Sequence, residues 1–500
     1  LRGSPTTPID IKRAEPSRMT QQADARYQQA LDYWFSSINY EQRIPEPQDL
    51  KLDRMRALLE RLGNPQERLR IIHVAGSKGK GSTSAMLASI FRRAGYRTGL
   101  FTSPHLCGIE ERFQVDGQVI SQEELTVLLE EVREAAASGQ SAANVQAESA
   151  AANLRVFDLH PTFFEIATAA GFLHFVRRRV DVAVVEVGLG GRFDSTNVCQ
   201  PEVSLITSIS LDHTLQLGDR LASIAMEKAG IVKPRRPAIS GARAPAARAV
   251  IEQICRERDA PLQQLDRDFH YSYRPGKVAL GAPADDSGSD PWPFLRRPQF
   301  QLRTRRRSWP AMDLGLLGEH QAANAAVAVA CVEHLRQAGW QISDAAVADG
   351  LAGVNWPARM EVMCRRPLVI LDCAHNVASA EALVETLQSS FPPTRRLLVF
   401  ASSNDKDVAG IFRTLAPHFA HAFLTRYGTN PRSVPPEQLA ELLRRNGGLP
   451  CTLSANAAQA WQAARTMASS EDLICVTGSV FLAGELRPVM TGMAGCKIGL

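Results

Sequence analysis

Arg70-Ile71-Ile72-His73-Val74-Ala75-Gly76-Ser77-Lys78-Gly79-Lys80-Gly81-Ser82 is the stretch that decides the fold. Its first half is a short apolar run of the kind that forms a strand buried on both faces of a parallel sheet. Its second half is a glycine-rich turn, followed by a helix that the pattern carries to about Ala94. Glycines let successive backbone N–H groups curl around a phosphate, and a helix N-terminus adds favourable partial charge. Lys80 would reach the β- and γ-phosphates as a point charge. Between a strand and a helix, this loop reads better as a nucleotide site than as a turn that binds nothing. Its candidate ATP-binding residues are Lys78, Gly79, Lys80 and Gly81. The loop departs from the common G-x-x-x-x-G-K-[ST] pattern, because Gly81 has no hydroxyl to offer Mg²⁺. Ser103, at the end of the next strand (Thr98–Phe101), becomes a candidate ligand, since parallel sheets collect ligands at those ends.

Upstream of this stretch, residues 26–38 and 50–62 read as helices, and residues 1–25 are polar, Pro-rich and expected to be disordered. They lack the apolar core of a signal peptide. Downstream, residues 121–137 form a helix with Ser121 and Glu124 spaced as a capping box, and 138–155 look like a loop insertion. Thr162–Arg178 is a second capped helix, with Thr162 and Glu165 three apart; Val180–Val187 and Val203–Ile209 are apolar strands. Residues 260–312 lose the alternation and suggest irregular or β-rich insertions, and Glu319–Arg336 is a small-residue helix. The pattern restarts after Trp356-Pro357, with strands at 368–371, 396–400, 421–426 and 473–477 between helices near 377–389, 407–417, 435–445 and 456–468. Strand–helix alternation at this spacing implies a second open α/β sheet. The expected architecture is α/β: a P-loop-type, mostly parallel sheet domain over 26–354, then a smaller Rossmann-like α/β domain over 355–490.

Five hundred residues exceed what one core usually serves, in keeping with two domains. The apolar fraction is 45% and no apolar run approaches the roughly 20 residues of a membrane span. A net charge of +5 at this length is too mild to call for nucleic acid. The nine cysteines are scattered, with no C-x-x-C pair, which suits a reducing cytoplasm and neither a disulfide framework nor a zinc site. Of 57 basic residues only nine are lysines, so each lysine kept is informative. Four of them, Lys78, Lys80, Lys228 and Lys406, fall in motifs.

Three further groups sit at or near strand ends. Glu186, inside Val184-Val185-Glu186-Val187-Gly188, is a carboxylate in an apolar strand, costly unless paired or bound to metal. The alternative is a glutamate that is salt-bridged or emerges at the sheet edge, and the adjacent Gly-rich turn favours a binding role. His213, in Leu211-Asp212-His213, could ligate a metal through one ring nitrogen, although Mg²⁺ prefers oxygen. By itself it reads as an ordinary hydrogen-bonded histidine. Lys228, in Met226-Glu227-Lys228-Ala229-Gly230, reads by default as a solvated helical lysine.

Ten stretches together resemble the folylpolyglutamate synthase and dihydrofolate synthase family of the Mur ligase superfamily. They are HVAGSKGKGS (73–82), TSPHL (102–106), PTFFE (161–165), EVGLGGRFDSTN (186–197), SLDHT (210–214), EKAGI (227–231), GEHQAANAA (318–326), WPARME (356–361), DCAHN (372–376) and NDKD (404–407), in family order. The resemblance implies a metal set of Ser103, Glu186 and His213 for Mg²⁺, with an N-carbamylated Lys228 able to hold a second ion. It implies that Lys80, Lys228 and His213 serve catalysis. Asn324 matches the adenine contact, and Arg359 and Asp372 match contacts to ATP phosphate and ribose. His375 would play a supporting or loop-stabilising part, and Cys373 stands where the family usually has Gly. Thr162, Phe163, Phe164 and Glu165, with Phe193, Asp194 and Ser195, match segments lining the pterin site; Phe163 and Phe164 could equally be helix core. Lys406 reads as a solvated loop lysine or a contact to substrate.

The resemblance implies an ATP-dependent amide ligase that joins L-glutamate to dihydropteroate or reduced folates through an acyl phosphate. It is expected to be bifunctional, cytoplasmic and monomeric. The rivals are another Mur-type amino-acid ligase, a non-catalytic P-loop ATP-binding protein, and a structural α/β protein with no nucleotide site.

Overall fold

The structure is a computed structural model that describes residues 18–39, 51–147, 160–211, 217–278 and 295–492. Two sheets organise it. The first is built from β1 (Ile71–Ala75), β2 (Thr98–Phe101), β3 (Phe113–Val115), β4 (Gln118–Val119), β5 (Val182–Glu186), β6 (Val203–Ile206), β7 (Ala238–Ser240) and β8 (Leu262–Gln264), in the order β4-β3-β2-β5-β1-β6-β7-β8. All neighbours are parallel except β2–β3 and β3–β4. Strands β1, β2, β5 and β6 are buried along their whole length, which is why they read as mainly apolar runs.

Helices cover both faces of this sheet. One apolar cluster joins β1 and β5 to α3 (Lys80–Arg93), α8 (Glu319–Gln337) and α9 (Asp344–Ala352). The other joins the opposite face to α1 (Arg18–Phe35), α2 (Asp53–Arg61), α4 (Gln122–Ala147) and α5 (Phe163–Arg177). Two more helices, α6 (Leu221–Ala229) and α7 (Pro245–Glu257), pack beside β6 and β7. The insertion 260–312 is β-rich where described: β9 (Phe269–Arg274), β12 (Gln299–Thr304) and β13 (Met312–Asp313) form a three-stranded sheet, and β10 (Lys277–Val278) pairs with β11 (Leu295–Arg296).

The chain passes to the second sheet between Ala352 and Glu361. That sheet comprises β14 (Glu361–Arg365), β15 (Leu368–Leu371), β16 (Arg396–Phe400), β17 (His421–Leu424), β18 (Cys451–Leu453) and β19 (Leu473–Thr477), in the order β14-β15-β19-β16-β17-β18. It is parallel apart from β14. Around it lie α10 (Val377–Ser390), α11 (Val408–Leu415), α12 (Pro436–Asn446), α13 (Ala457–Met467) and α14 (Val480–Thr491). Apolar clusters fill both of its faces.

Two expectations about order fail locally. Helix α1 begins at Arg18, inside the stretch expected to be disordered; residues 1–17 lie outside the described residues. Helix α4 runs on to Ala147, so 138–147 are helical and not a loop. That tract is rich in Ala and Gln, which propagate a helix once it is nucleated. The rest of that expected insertion is not described.

Candidate functional site

The glycine-rich loop takes a backbone path that depends on its glycines. Gly76 and Gly79 have φ of +149° and +83°, a region L-residues adopt only at a cost. A Cβ at Gly79 would lie 2.0 Å from Asn324 Oδ1, so the adenine-contact candidate packs on the bare loop backbone. Residues just past β6 pin the loop from the other side. Thr207 Oγ1 donates to Lys78 O at 2.6 Å, Lys78 N–H donates to Ser208 Oγ at 3.0 Å, and Ser77 N–H donates to Ser208 O at 2.8 Å. Sequence reading missed both hydroxyl residues, which it left inside the strand expected over Val203–Ile209; β6 ends at Ile206, and the signal was the polar Thr207-Ser208 pair after Leu205-Ile206.

The missing hydroxyl at Gly81 has a local reason. A Cβ there would stand 3.1 Å from Trp356 Nε1 and 3.2 Å from its Cζ2, so a serine would press on the indole. Lys80 Nζ donates to Gly76 O at 3.2 Å, a contact it can exchange for a phosphate oxygen. Lys78 reaches into the second domain: its ammonium donates to His375 Nε2 at 2.7 Å. His375 Nδ1 lies 2.8 Å from Cys373 O and carries the proton, which leaves Nε2 as the acceptor. His375 thus stabilises its own loop and joins the two domains at once.

Glu186 is the last residue of β5, 4% exposed, with its Oε2 accepting from Ser103 N–H at 3.3 Å. Burial pushes its carboxyl up to about 7, against the opposing pull of Lys80, the Ser103 amide, Arg359 and Arg112. A buried carboxylate with a neighbouring serine, both on the cavity wall, is an oxygen-rich donor set of the kind Mg²⁺ takes. No group of three or more His, Cys, Asp or Glu side chains arranged to hold a metal occurs among the described residues. His213 lies outside them. Lys228 is 3% exposed within α6 and so is not the solvated lysine of the default reading; its neighbour Glu227 faces the cavity, whereas Lys228 is not among the described lining residues.

A cavity of about 870 Å³ runs along the ends of both sheets. It collects the phosphate loop, Ser103, Glu186, Asn324, Arg359 and Asp372. The Asp372 carboxylate accepts from Met360 N–H at 3.0 Å and Ala374 N–H at 2.7 Å, and burial raises its carboxyl above the usual range. Cys373 lies on the same wall, its thiol pushed up to about 12 by burial.

The expected pterin segments divide into three roles. Thr162, Phe164, Glu165, Phe193, Asp194 and Ser195 line the cavity. Phe163 does not: it is 1% exposed and stacks on Trp34 at 5.0 Å between ring centroids, so it belongs to the core. Adjacent helical residues point about 100° apart, and α5 turns Phe164 to the cavity by turning Phe163 away. Thr162 and Glu165 form a full capping box, and Glu165 also accepts from Arg54 Nε at 2.6 Å. Asp194 spends its carboxylate on the backbone, accepting from Gly188 N–H at 3.0 Å, Leu189 N–H at 2.9 Å and Thr196 N–H at 3.0 Å. It shapes the glycine turn more than it offers a free acid. Ser195 Oγ is 2.6 Å from Thr168 Oγ1, and Phe193, 37% exposed, carries the Arg192 guanidinium 4.9 Å over its ring. Lys406 also lines the cavity, with its ammonium 3.3 Å from Asp405, as does Arg432.

Comparison with known proteins fits this geometry. Residues 358–480 match the model of the Mur ligase, glutamate ligase domain. The chain is 33% identical over 438 residues to the dihydrofolate synthase/folylpolyglutamate synthase of Bacillus subtilis, covering 87% of this chain and 94% of the relative. It is 36% identical over 409 residues to the Mycobacterium tuberculosis protein of the same name, covering 80% and 79%. Among solved structures, the M. tuberculosis folylpolyglutamate synthase complexed with ADP and AMPPCP superposes with a TM-score of 0.80 at 32% identity, covering 95% of this chain and all of that one. E. coli FolC in complex with DHPP and ADP superposes with a TM-score of 0.76 at 30% identity, covering 94% and 98%. With a phosphate loop, a buried strand-end carboxylate and likeness of this extent, the chain belongs to the dihydrofolate synthase/folylpolyglutamate synthase family of ATP-dependent ligases.

Proposed function

We propose that the protein joins L-glutamate to the carboxylate of dihydropteroate and of folyl(poly)glutamates, by way of an acyl phosphate, releasing ADP and phosphate. The observation that carries this reading is the shared cavity, which sets a phosphate loop, a buried carboxylate, aromatic walls and second-domain cations around one space. Structures of relatives with ADP, and of one relative with ADP and DHPP, support the same substrates here.

A carboxylate does not condense with an amine near neutral pH, because an oxide-like oxygen is a poor leaving group. Transfer of the γ-phosphoryl group converts that oxygen into phosphate. The loop amides of residues 77–82 and the N-terminus of α3 bind the triphosphate, and the Lys80 ammonium follows the charge that develops on the transferred group. Ser103 and Glu186, with His213, would hold a divalent cation that shields the phosphate oxygens. Arg359 lines the same cavity and offers its guanidinium to the phosphates. Phe164 and Phe193 offer ring faces to a flat heterocycle. Lys406 and Arg432 supply cations suited to an amino acid with two carboxylates. The amine then attacks the acyl carbon, the tetrahedral adduct expels phosphate, and an amide remains.

The test is glutamate-dependent ADP release with dihydropteroate and, separately, tetrahydrofolate as acceptor. Both acceptors should be used by the unsubstituted enzyme, and Lys80→Ala should abolish release with either. Full activity in Lys80→Ala would remove the phosphate loop from the mechanism, and use of only one acceptor would end the bifunctional reading.

A further inference from the structure

The loop that carries Ser103 does not end at the cavity. It continues through Leu106 and Cys107, where the Glu111 carboxylate gathers three backbone N–H groups: Leu106 at 2.7 Å, Cys107 at 3.1 Å and Gly108 at 3.1 Å. Held in this way, the loop projects Leu106 out of its own domain and into the apolar cluster on one face of the second sheet, which includes Leu482, Ala483 and Leu486 of α14. Its carbonyl then lies on α14 at Gly484. A Cβ at that position would sit 2.0 Å from Leu106 O, and the obstacle is backbone, not the tip of a flexible side chain. Cys107 Sγ contacts Gly484 O at 3.7 Å.

Less than one turn along α14, Arg487 makes a forked ion pair with Glu361, Nη2 to Oε1 at 2.8 Å and Nε to Oε2 at 3.0 Å, with both side chains 16% exposed. The same carboxylate accepts from Ala358 N–H at 2.8 Å, one residue before Arg359. Helix α14 therefore holds the Ser103 loop of the first domain at one point and the Arg359 segment at another. Forked Arg–carboxylate pairing fixes orientation as well as distance.

We propose that α14 sets the two halves of the site against each other, with Gly484 and Arg487 as positioning residues: Gly484 by admitting the Leu106 carbonyl, Arg487 by holding Glu361. Together they place Ser103 opposite Arg359 and keep the cleft shut while the activated acid awaits its amine. The proposal rests on the ligase reading of the cavity. In an ajar cleft, water takes the amine's place: its oxygen bonds to the acyl carbon and the C–O bond to phosphate breaks. One water proton goes to the phosphate and the other to solvent, so the free acid and inorganic phosphate return after ADP has formed. A loosened seam is thus read as ADP released without amide.

The experiment measures ADP and amide in the same reaction for the unsubstituted enzyme, Gly484→Ala, Arg487→Met and Arg487→Lys. The unsubstituted enzyme should give a ratio near one. Gly484→Ala and Arg487→Met should lower amide turnover on the order of 10- to 100-fold, as small misplacements of reacting groups do, and raise ADP per amide above one. Arg487→Lys, which keeps the charge and loses the fork, should fall between. Should Gly484→Ala fail to fold, Leu106→Ala tests the same seam from the other side. A ratio that stays at one in these variants overturns the proposal, whatever happens to turnover. Absence of amide from the unsubstituted enzyme overturns the ligase reading instead.

Discussion

Replacing Gly79 by alanine tests how tightly the nucleotide loop is bound to the helix behind it. At φ +83° an L-residue pays about 1–2 kcal/mol relative to glycine. The new methyl would fall 2.0 Å from Asn324 Oδ1 and 2.8 Å from its Cγ, so the amide must swing away. Swinging breaks the Asn324 Nδ2–H bond to Gln321 Oε1, now 3.0 Å, at a cost of about 1 kcal/mol. Together these make the first domain about 2–3 kcal/mol less stable, a substantial part of the 5–15 kcal/mol that usually holds a protein folded. The displaced amide also leaves the wall where adenine is expected, so ADP affinity should drop about tenfold or more, roughly 1.4 kcal/mol per decade. Urea unfolding of the apoprotein and calorimetric titration with ADP read the two effects separately. Unchanged unfolding together with unchanged ADP affinity would refute the argument that loop and Asn324 form one unit.

Burial holds His73 neutral down to about pH 3 and His174 to about 4, against about 6.5 in an unfolded chain. Below 6.5 the unfolded state binds these protons first, so stability is full above that pH and falls as pH drops toward 4, by about 1.4 kcal/mol per unit for each group. The Glu186 carboxyl, held up at about 7, works in the opposite sense, so the test is a difference: between pH 7.5 and 5, His73→Gln should lose less melting temperature than the unsubstituted protein, and an equal loss contradicts this. Phe163→Ala should cost about 3–5 kcal/mol of stability, as large-to-small core changes do, whereas Phe164→Ala should chiefly raise the KM of the pterin-bearing substrate. If both variants lose stability equally with no effect on KM, the division of labour along α5 is wrong. Labelled bicarbonate should give a carbamate signal in the protein that disappears in Lys228→Arg, together with activity; an active Lys228→Arg enzyme would dismiss the modified lysine.

Four strands of the second domain, β15, β16, β17 and β19, were legible as short apolar runs closed by polar turns, whereas β14 (EVMCR) and β18 (CTL) carry charged or polar residues and, like α14, were not read. The glycine-rich turn between β1 and α3 and the acid at the end of β5 were equally legible as places in the fold, since glycine and a buried acid are both costly there. What escaped was information that needs the third dimension. Phe163 and Phe164 are chemically identical neighbours, and only the direction of α5 assigns one to the core. Asp194 sits in a motif that suggests a substrate acid, yet the turn at Gly188 and Leu189 already uses its oxygens. Arg54 meets Glu165 across 111 positions of sequence, and no local pattern announces such a pair. Thr207 and Ser208 fell inside the strand expected over Val203–Ile209; β6 ends at Ile206, and only its place beside β1 brings their hydroxyls to the loop.

Among the described residues, the backbone runs from the eight-stranded sheet to the six-stranded one through the passage between Ala352 and Glu361. A tether that short keeps each half at an effective concentration of millimolar order around the other. Contacts such as the one from Lys78 to His375 can then be individually feeble and still bring the halves together promptly. Opening to let product leave would give up the seam of Leu106 on α14 but would leave both sheets intact, so it costs less than melting either half. A molecule that grips both rims at once would trade on that asymmetry, arresting the hinge without having to compete with the stability of either half.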